Sequence, residues 1–295
     1  MLLWIADGAT LRHLTTSLAM ARVFIGSEAF AAGRVTKYDL RARYQRVLPD
    51  VYAAKGVPLT LCDRTIAAWL WSRRQGVISG VAASALHGAK WVDEDAVVEL
   101  NWPGRKSPPG VKARNETLLD AEISSCNGIA VTSVARTAFD LARRGPAGRA
   151  IERLDALGAA TNFAVDDVLE VAENHPHVKG LRRVGRLLPQ VDAGAQSPRE
   201  TWLRLLLIEA GFPRPETQIP VPRPDGYSRY FLDMGWRDAM VAVEYDGEQH
   251  RVDRDIYRDD LARSEYLAHV GWRRIRVIAG DRKPDIVRRV RQAWR

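Results

Sequence analysis

With 295 residues, 46% apolar content and nine tryptophans, the chain is long enough for two packed cores and too apolar for a disordered tail. Its formal charge of +8, carried mostly by arginine, favours an anionic partner, with nucleic acid foremost. The two cysteines, Cys62 and Cys126, are far apart, which argues against a disulfide framework or a cysteine zinc site. No apolar run approaches the roughly 20 residues of a membrane span, so a reducing cytoplasm and no membrane partner are expected.

Residues 1–19 are interrupted by Asp7, Arg12 and His13. They read as a flexible extension rather than a signal peptide. From 20 to 190 the pattern is mixed α/β. Thr36 is placed to cap the helix candidate TKYDLRARYQ, and a second helix is expected over 62–74. ISGVAASALHG reads as a helix closed by Gly88. AVVELNWPG and GVKARNETL read as strands joined by the turn-rich RKSPPG, and VTSVARTAFDLARR as a capped helix. Helical segments follow over 146–158 and 165–173, then in HPHVKGLRRVGRLLPQ. His87, His175 and His177 read as helix-end or loop residues, Ser84 has no evident base partner, and Trp69, Trp71, Trp91 and Trp102 read as core. VDAGAQSP, small and polar, supplies a linker over 191–197.

Residues 198–295 change order: a helix over 198–210, the proline-rich PRPETQIPVPRP, a strand pair over 228–246, a helix over 254–269, the strand WRRIRVIA and a short terminal helix. SRYFLDMGWRDAMVAVEYDG alternates on both arms of a hairpin. A turn centred on Asp238–Ala239 sets Asp233 opposite Glu244. Neighbouring strands lie about 4.8 Å apart, so Asp233, Glu244 and Asp246 converge on one face. Leu232, Met234, Val241, Val243 and Tyr245 then share the other, buried face. Three gathered carboxylates repel one another, and a hard divalent ion such as Mg²⁺ or Mn²⁺ removes that penalty. Such an ion can polarise a phosphodiester and activate water near neutral pH.

Asp233, then Glu244-Tyr245-Asp246-Gly247, then His250, followed by RDDLARSEYLAHVGWRRIRV, resemble the PD-(D/E)xK nuclease superfamily in its Vsr-like (very short patch repair) branch. The resemblance covers about 197–295. It implies a restriction-endonuclease-like mixed sheet flanked by helices, within an α/β (α+β) chain. It also implies Asp233 and Glu244 as metal ligands, joined by the backbone carbonyl of Tyr245. Glu200 matches the acid that often completes such a site. It equally closes a capping box in Ser197-Pro198-Arg199-Glu200. Asp246 stands where the superfamily has its lysine, which leaves His250 as the candidate proton acceptor. Arg258, Arg263, Arg274 and Arg276 are candidate phosphate contacts, with a solvated face as the alternative.

GRVTKYDLRARYQRVLPDVYAAKG, ISGVAASALHG and VTSVARTAFDLAR resemble AbiEi-type antitoxin and transcriptional-regulator architecture, which implies a partial winged-helix-like segment and a toxin or other protein partner. Two functions follow as expectations. One is a Mg²⁺-dependent endonuclease acting on DNA, in repair or phage defence. The other is a DNA-binding antitoxin or repressor carrying a degenerate nuclease domain.

Overall fold

The structure is a computed structural model that describes residues 22–104, 106–246 and 254–294, and of 254–258 the backbone alone. The expected extension over 1–19 lies outside the described residues. The fold is mixed α/β with three sheets. It divides into two compact units, one reaching Gly145 and including Phe163–Pro189, the other built from Pro146–Asn162 and Gln190–Arg295.

The first unit opens with β1 (Val23–Ile25), α1 (Gly26–Ala31), α2 (Lys37–Ala42), β2 (Tyr44–Leu48) and β3 (Val51–Ala54), the strands forming an antiparallel sheet in the order β1-β3-β2. Thr36 and Asp39 exchange side chain-to-backbone hydrogen bonds at 3.0 Å and fix the start of α2. That helix buries none of its residues. A second capping box, Thr60 with Asp63, starts α3 (Leu61–Trp71). Next come β4 (Val77–Ser79), α4 (Gly80–Leu86), β5 (Val98–Asn101), β6 (Val111–Arg114), β7 (Ile123–Cys126) and β8 (Ile129–Thr132), in a sheet ordered β6-β5-β4-β8-β7. β5 and β6 run parallel, so the Gly/Pro-rich stretch between them carries the chain back to the same end instead of closing a hairpin.

Alternating apolar residues of both sheets (Val23, Ile25, Val51, Ala53, Ile78, Leu100, Val131) meet Ala67 and Ala68 of α3 in one core. Trp71 and Trp102 pack edge-on at 4.9 Å beside it, but Trp91 is 64% exposed and is not a core residue. α5 (Val134–Arg143) starts at Ser133, whose side chain accepts from the Arg136 N–H. The next helix, α6 (Ala147–Thr161), belongs to the second unit, whereas α7 (Val165–Asn174) and α8 (Leu181–Leu187) return to the first.

The second unit resumes at Gln190, beside the expected break, and also takes in α6. Asp155 of α6 and Arg204 of α9 (Pro198–Glu209), both buried, pair at 2.8 Å. Thr201 Oγ1 and the Asp192 N–H also donate to the Asp155 carboxylate. The expected linker is likewise tied down. The Asp192 carboxylate accepts from the Gly194 N–H and Thr217 Oγ1, and a side chain at Gly194 would collide with Thr217.

The second unit continues with β9 (Glu216–Pro222), β10 (Arg229–Trp236), β11 (Val241–Asp246), α10 (Arg254–His269), β12 (Arg273–Ile278) and α11 (Lys283–Ala293). Its sheet has the order β9-β10-β11-β12, with only the last pair parallel. β9 is an edge strand, which is why it tolerates Pro220 and Pro222. One face of the sheet packs Met234, Trp236, Val241, Val243, Ile275 and Val277 against Leu203, Leu207, Ile286 and Val290 of α9 and α11. The other packs Ile219, Leu232 and Ala242 against Leu267 of α10 and Trp272. No helix among the described residues is long and apolar enough to cross a membrane.

Candidate active site

The hairpin of β10 and β11 positions the acids. Its turn, Arg237–Met240, is closed by the Met240 N–H on the Arg237 carbonyl, with Met240 at φ 50°. The pairs Met234↔Val243, Gly235↔Ala242 and Trp236↔Val241 give the expected register, in which Asp233 lies across from Glu244. The ladder stops one pair short of them. There the Tyr245 N–H donates to Asp233 Oδ2 at 2.9 Å, so a side chain replaces the strand's own carbonyl.

The interruption crosses β10. On β9, Gln218 sits at φ 49° and is absent from the pairing between Leu232↔Ile219 and Met234↔Thr217. A non-glycine residue in the left-handed region marks a constrained backbone. Its consequence corrects one expectation. Leu232 packs on the α10 side of the sheet, whereas Met234 packs on the α9 and α11 side. Tyr245, Val241 and Val243 remain with Met234.

Asp233 and Glu244 are both largely desolvated, and Glu244 also feels the charge of Asp233. Burial, reinforced by Glu200, pushes Asp233 from the ordinary 3.8 to about 6. Burial also raises Glu244, and Asp233 adds to it, while Arg263 and Arg274 oppose the rise. Burial raises Glu200 as well, although the Gln196 N–H and the Ser197 hydroxyl donate to its carboxylate at 2.8 and 2.9 Å. The Ser197 hydroxyl in turn accepts from the Glu200 N–H at 3.2 Å. Glu200 therefore acts at the helix start and as a charge felt at Asp233.

The arginines on the α10 side meet these acids directly. Arg263 donates to Glu244 Oε1 at 2.5 Å and to the Phe231 carbonyl at 2.7 Å. Arg274 Nε lies 3.4 Å from Glu244 Oε2, and its Nη2 reaches Ser264 and Asp260. Arg276 pairs with Asp260 at 2.5 Å and lies 3.7 Å from Asp246. Arg263 and Arg274 are thus partners of the acids, whereas Arg276 pairs with Asp260 and stays exposed to solvent. Arg258 lies in α10, its side chain outside the description, and His250 lies outside the described residues altogether.

Asp233, Glu244 and Glu200 offer only oxygen donors, a set that suits Mg²⁺ or Mn²⁺. An extended residue directs its N–H and C=O to the same neighbouring strand, so the Tyr245 carbonyl also faces the Asp233 side. Burial is the first cause of the raised proton affinity of all three, a cost of holding charge that a bound cation would offset. Among the described residues no three His, Cys, Asp or Glu side chains are already gathered closely enough to hold an ion, and Glu244 would have to exchange arginine for it.

Sequence reasoning missed the arginine pairing of Glu244, which depends on α10 and β12 folding back. It also missed a buried ion cluster in the first unit, where Arg136 meets Glu122 at 2.5 Å and Glu116 at 3.0 Å, and His175 meets Glu122 at 2.6 Å. The signal was present in VARTAFDLARR. Its polar residues recur at helical spacing among apolar ones, so they had to be buried and therefore paired. His87, by contrast, sits at a helix end as expected, its Nε2 bonded to the Thr132 carbonyl at 2.8 Å.

No family model matches the chain. It is similar to two uncharacterized proteins of Mycobacterium tuberculosis, from strains CDC 1551 / Oshkosh and ATCC 25618 / H37Rv. Each is 28% identical over 237 residues, covering 80% of this chain and 86% of the relative.

Proposed function

We propose that the chain is a metal-dependent endonuclease that hydrolyses phosphodiester bonds of DNA, with its active site in the second unit. The observation that carries this reading is the apposition of half-buried Asp233 and buried Glu244, both with raised proton affinity, on adjacent arms of a hairpin whose ladder opens at that point. Acids perturbed by desolvation and by a neighbouring charge, as Asp233 is by Glu200 and Glu244 by Asp233, are characteristic of functional sites. The order α9, β9-β10-β11, α10, β12 supports the resemblance to Vsr-like nucleases.

Asp233 and Glu244 would hold Mg²⁺ or Mn²⁺, with the Tyr245 carbonyl and Glu200 beside them. When bound, the ion supplies charge neutralisation at the phosphoryl oxygens and a lowered pKa for attacking water. Asp233 orients against Tyr245. Glu200 keeps the proton affinity of Asp233 high until a cation binds. His250 is the proton acceptor this reading assigns, with Asp246 in the lysine position of the superfamily. A cytoplasmic setting accords with such a substrate.

A plasmid-nicking assay with Mg²⁺ tests the proposal. The parent should cut, and Asp233→Ala and Glu244→Gln should lose at least about a hundredfold of the rate while keeping their circular dichroism. Equal cutting by parent and variants rejects it.

A second reading is favoured by one observation in the first unit. α1 and α2 lie between β1 and a β2–β3 hairpin, in a sheet ordered β1-β3-β2, and α2 exposes Lys37, Tyr38 and Arg41 while burying nothing. That layout, a helix pair followed by a wing, suits a DNA-binding regulator of antitoxin type. Salt-sensitive DNA binding without strand scission would select this reading.

A further inference from the structure

Glu244 is the most deeply buried of the candidate ligands, and it is held by two guanidinium groups that bring more donors than it can use. Arg263 gives Glu244 one Nη2 hydrogen bond, shared with the Phe231 carbonyl, and its buried Nε has no partner among the described residues. Arg274, only 8% exposed at its side chain, sends Nη2 to Ser264 and Nε towards Glu244, and its buried Nη1 has no partner among the described residues. A buried N–H on a charged group is costly to leave unpaired, so one such donor on each of two arginines that meet the same carboxylate leaves room for an anionic acceptor. Arginine's planar fork matches the tetrahedral oxygens of a phosphate better than any other side chain. The two residues stand on different elements, α10 and β12, and so approach Glu244 from two directions.

We infer that Arg263 and Arg274 are the phosphate-holding pair of this site, kept on Glu244 in the metal-free protein and turned onto a DNA phosphate when a divalent cation takes that carboxylate. This rests on the endonuclease reading and adds its substrate contacts. A cation on Glu244 and the Arg263 guanidinium, 2.5 Å from Oε1, carry like charges, and their repulsion disfavours holding both on that carboxylate. The exchange therefore couples the two ligands. The ion releases the donors, and the phosphate, by holding them away from Glu244, favours the ion in return.

The test uses the full chain with two probes, Mn²⁺ alone by calorimetry and a short DNA duplex with Ca²⁺ as the supporting ion, titrated across salt concentrations. Arg263→Gln should bind Mn²⁺ about three- to tenfold more tightly, since its competitor for Glu244 is gone. It should bind the duplex more weakly, with the slope of log affinity against log salt reduced by about 0.9, one phosphate contact. Arg263→Lys should recover the slope. Arg274→Gln should show the same pair of changes if it folds. If it does not, Arg263→Gln and Arg263→Lys decide alone. A parent that binds Mn²⁺ while Arg263→Gln leaves both Mn²⁺ affinity and salt slope unchanged overturns the inference and spares the endonuclease reading. A parent that binds no Mn²⁺ overturns both.

Discussion

Two buried ion clusters, one in each unit, show opposite electrostatics. In the first unit Glu116, although burial would raise it, is driven below the ordinary carboxylate range by Arg144, Arg143, Arg136 and Arg114. Arg136, 1% exposed, also reaches Glu122 and Asp140, and Phe139 stacks on His175 at 6.0 Å. Arg114, Arg136, Arg143 and Arg144 there pair directly with four acids, Glu99, Glu116, Glu122 and Asp140. In the second unit Asp233, Glu244 and Glu200 all rise, because burial outweighs the hydrogen bonds and the arginines that oppose it. A satisfied cluster holds its fold together, whereas an under-compensated one stores a demand for charge that a ligand can meet. The same residue types serve both ends.

That contrast is broken or sharpened by substitution, beginning with the largest effect. Arg136→Met should cost about 3 kcal/mol or more of stability, since buried Glu122 and Asp140 and half-buried Glu116 lose their common partner. Urea unfolding followed by tryptophan fluorescence reads it. A loss below about 1 kcal/mol would mean that the first cluster is not structural.

Asp233→Asn should act in the opposite direction. The folded-state pKa of Asp233 is about 6 against an ordinary 3.8, so its protonated form stabilises the fold below pH 4 and that contribution is lost as pH rises through 6. The variant should therefore match the parent near pH 4 and exceed it by roughly 2 kcal/mol at pH 7.5. Unfolding curves at the two pH values measure the difference. A variant less stable than the parent at pH 7.5 would contradict the under-compensation.

The same titration governs metal binding. Mn²⁺ affinity should fall as pH drops through about 6, as a proton competes for Asp233. The smallest effect belongs to Glu200→Gln. It preserves the hydrogen-bonding shape at the start of α9 but removes the charge that raises Asp233. The midpoint of that pH dependence should move to lower pH by a few tenths of a unit. An unmoved midpoint would confine Glu200 to capping.

Much of this arrangement is legible in the chain itself. Alternation around Asp238–Ala239 gives the hairpin register, and periodicity places α10 over the same residues, 254–269, in sequence and structure. The edge strand β9 is hidden by Pro220 and Pro222, which read as loop until an unpaired edge is known to accept them. The change of face between Leu232 and Met234 depends on Gln218, a residue on another strand, so no single segment encodes it. α6 could not be assigned to its unit because Asp155 finds Arg204 49 residues later. At the site, the acids announce themselves by spacing. Their arginine partners do not, since Arg263 and Arg274 reach Glu244 only once α10 and β12 close over the hairpin.

Calorimetric titration of Mn²⁺ into the parent, Asp233→Ala and Glu244→Gln at pH 7.5 tests the demand for charge most directly. Saturable binding by the parent, weakened at least about tenfold in both variants, is the predicted result. Equal heats in all three proteins would contradict it.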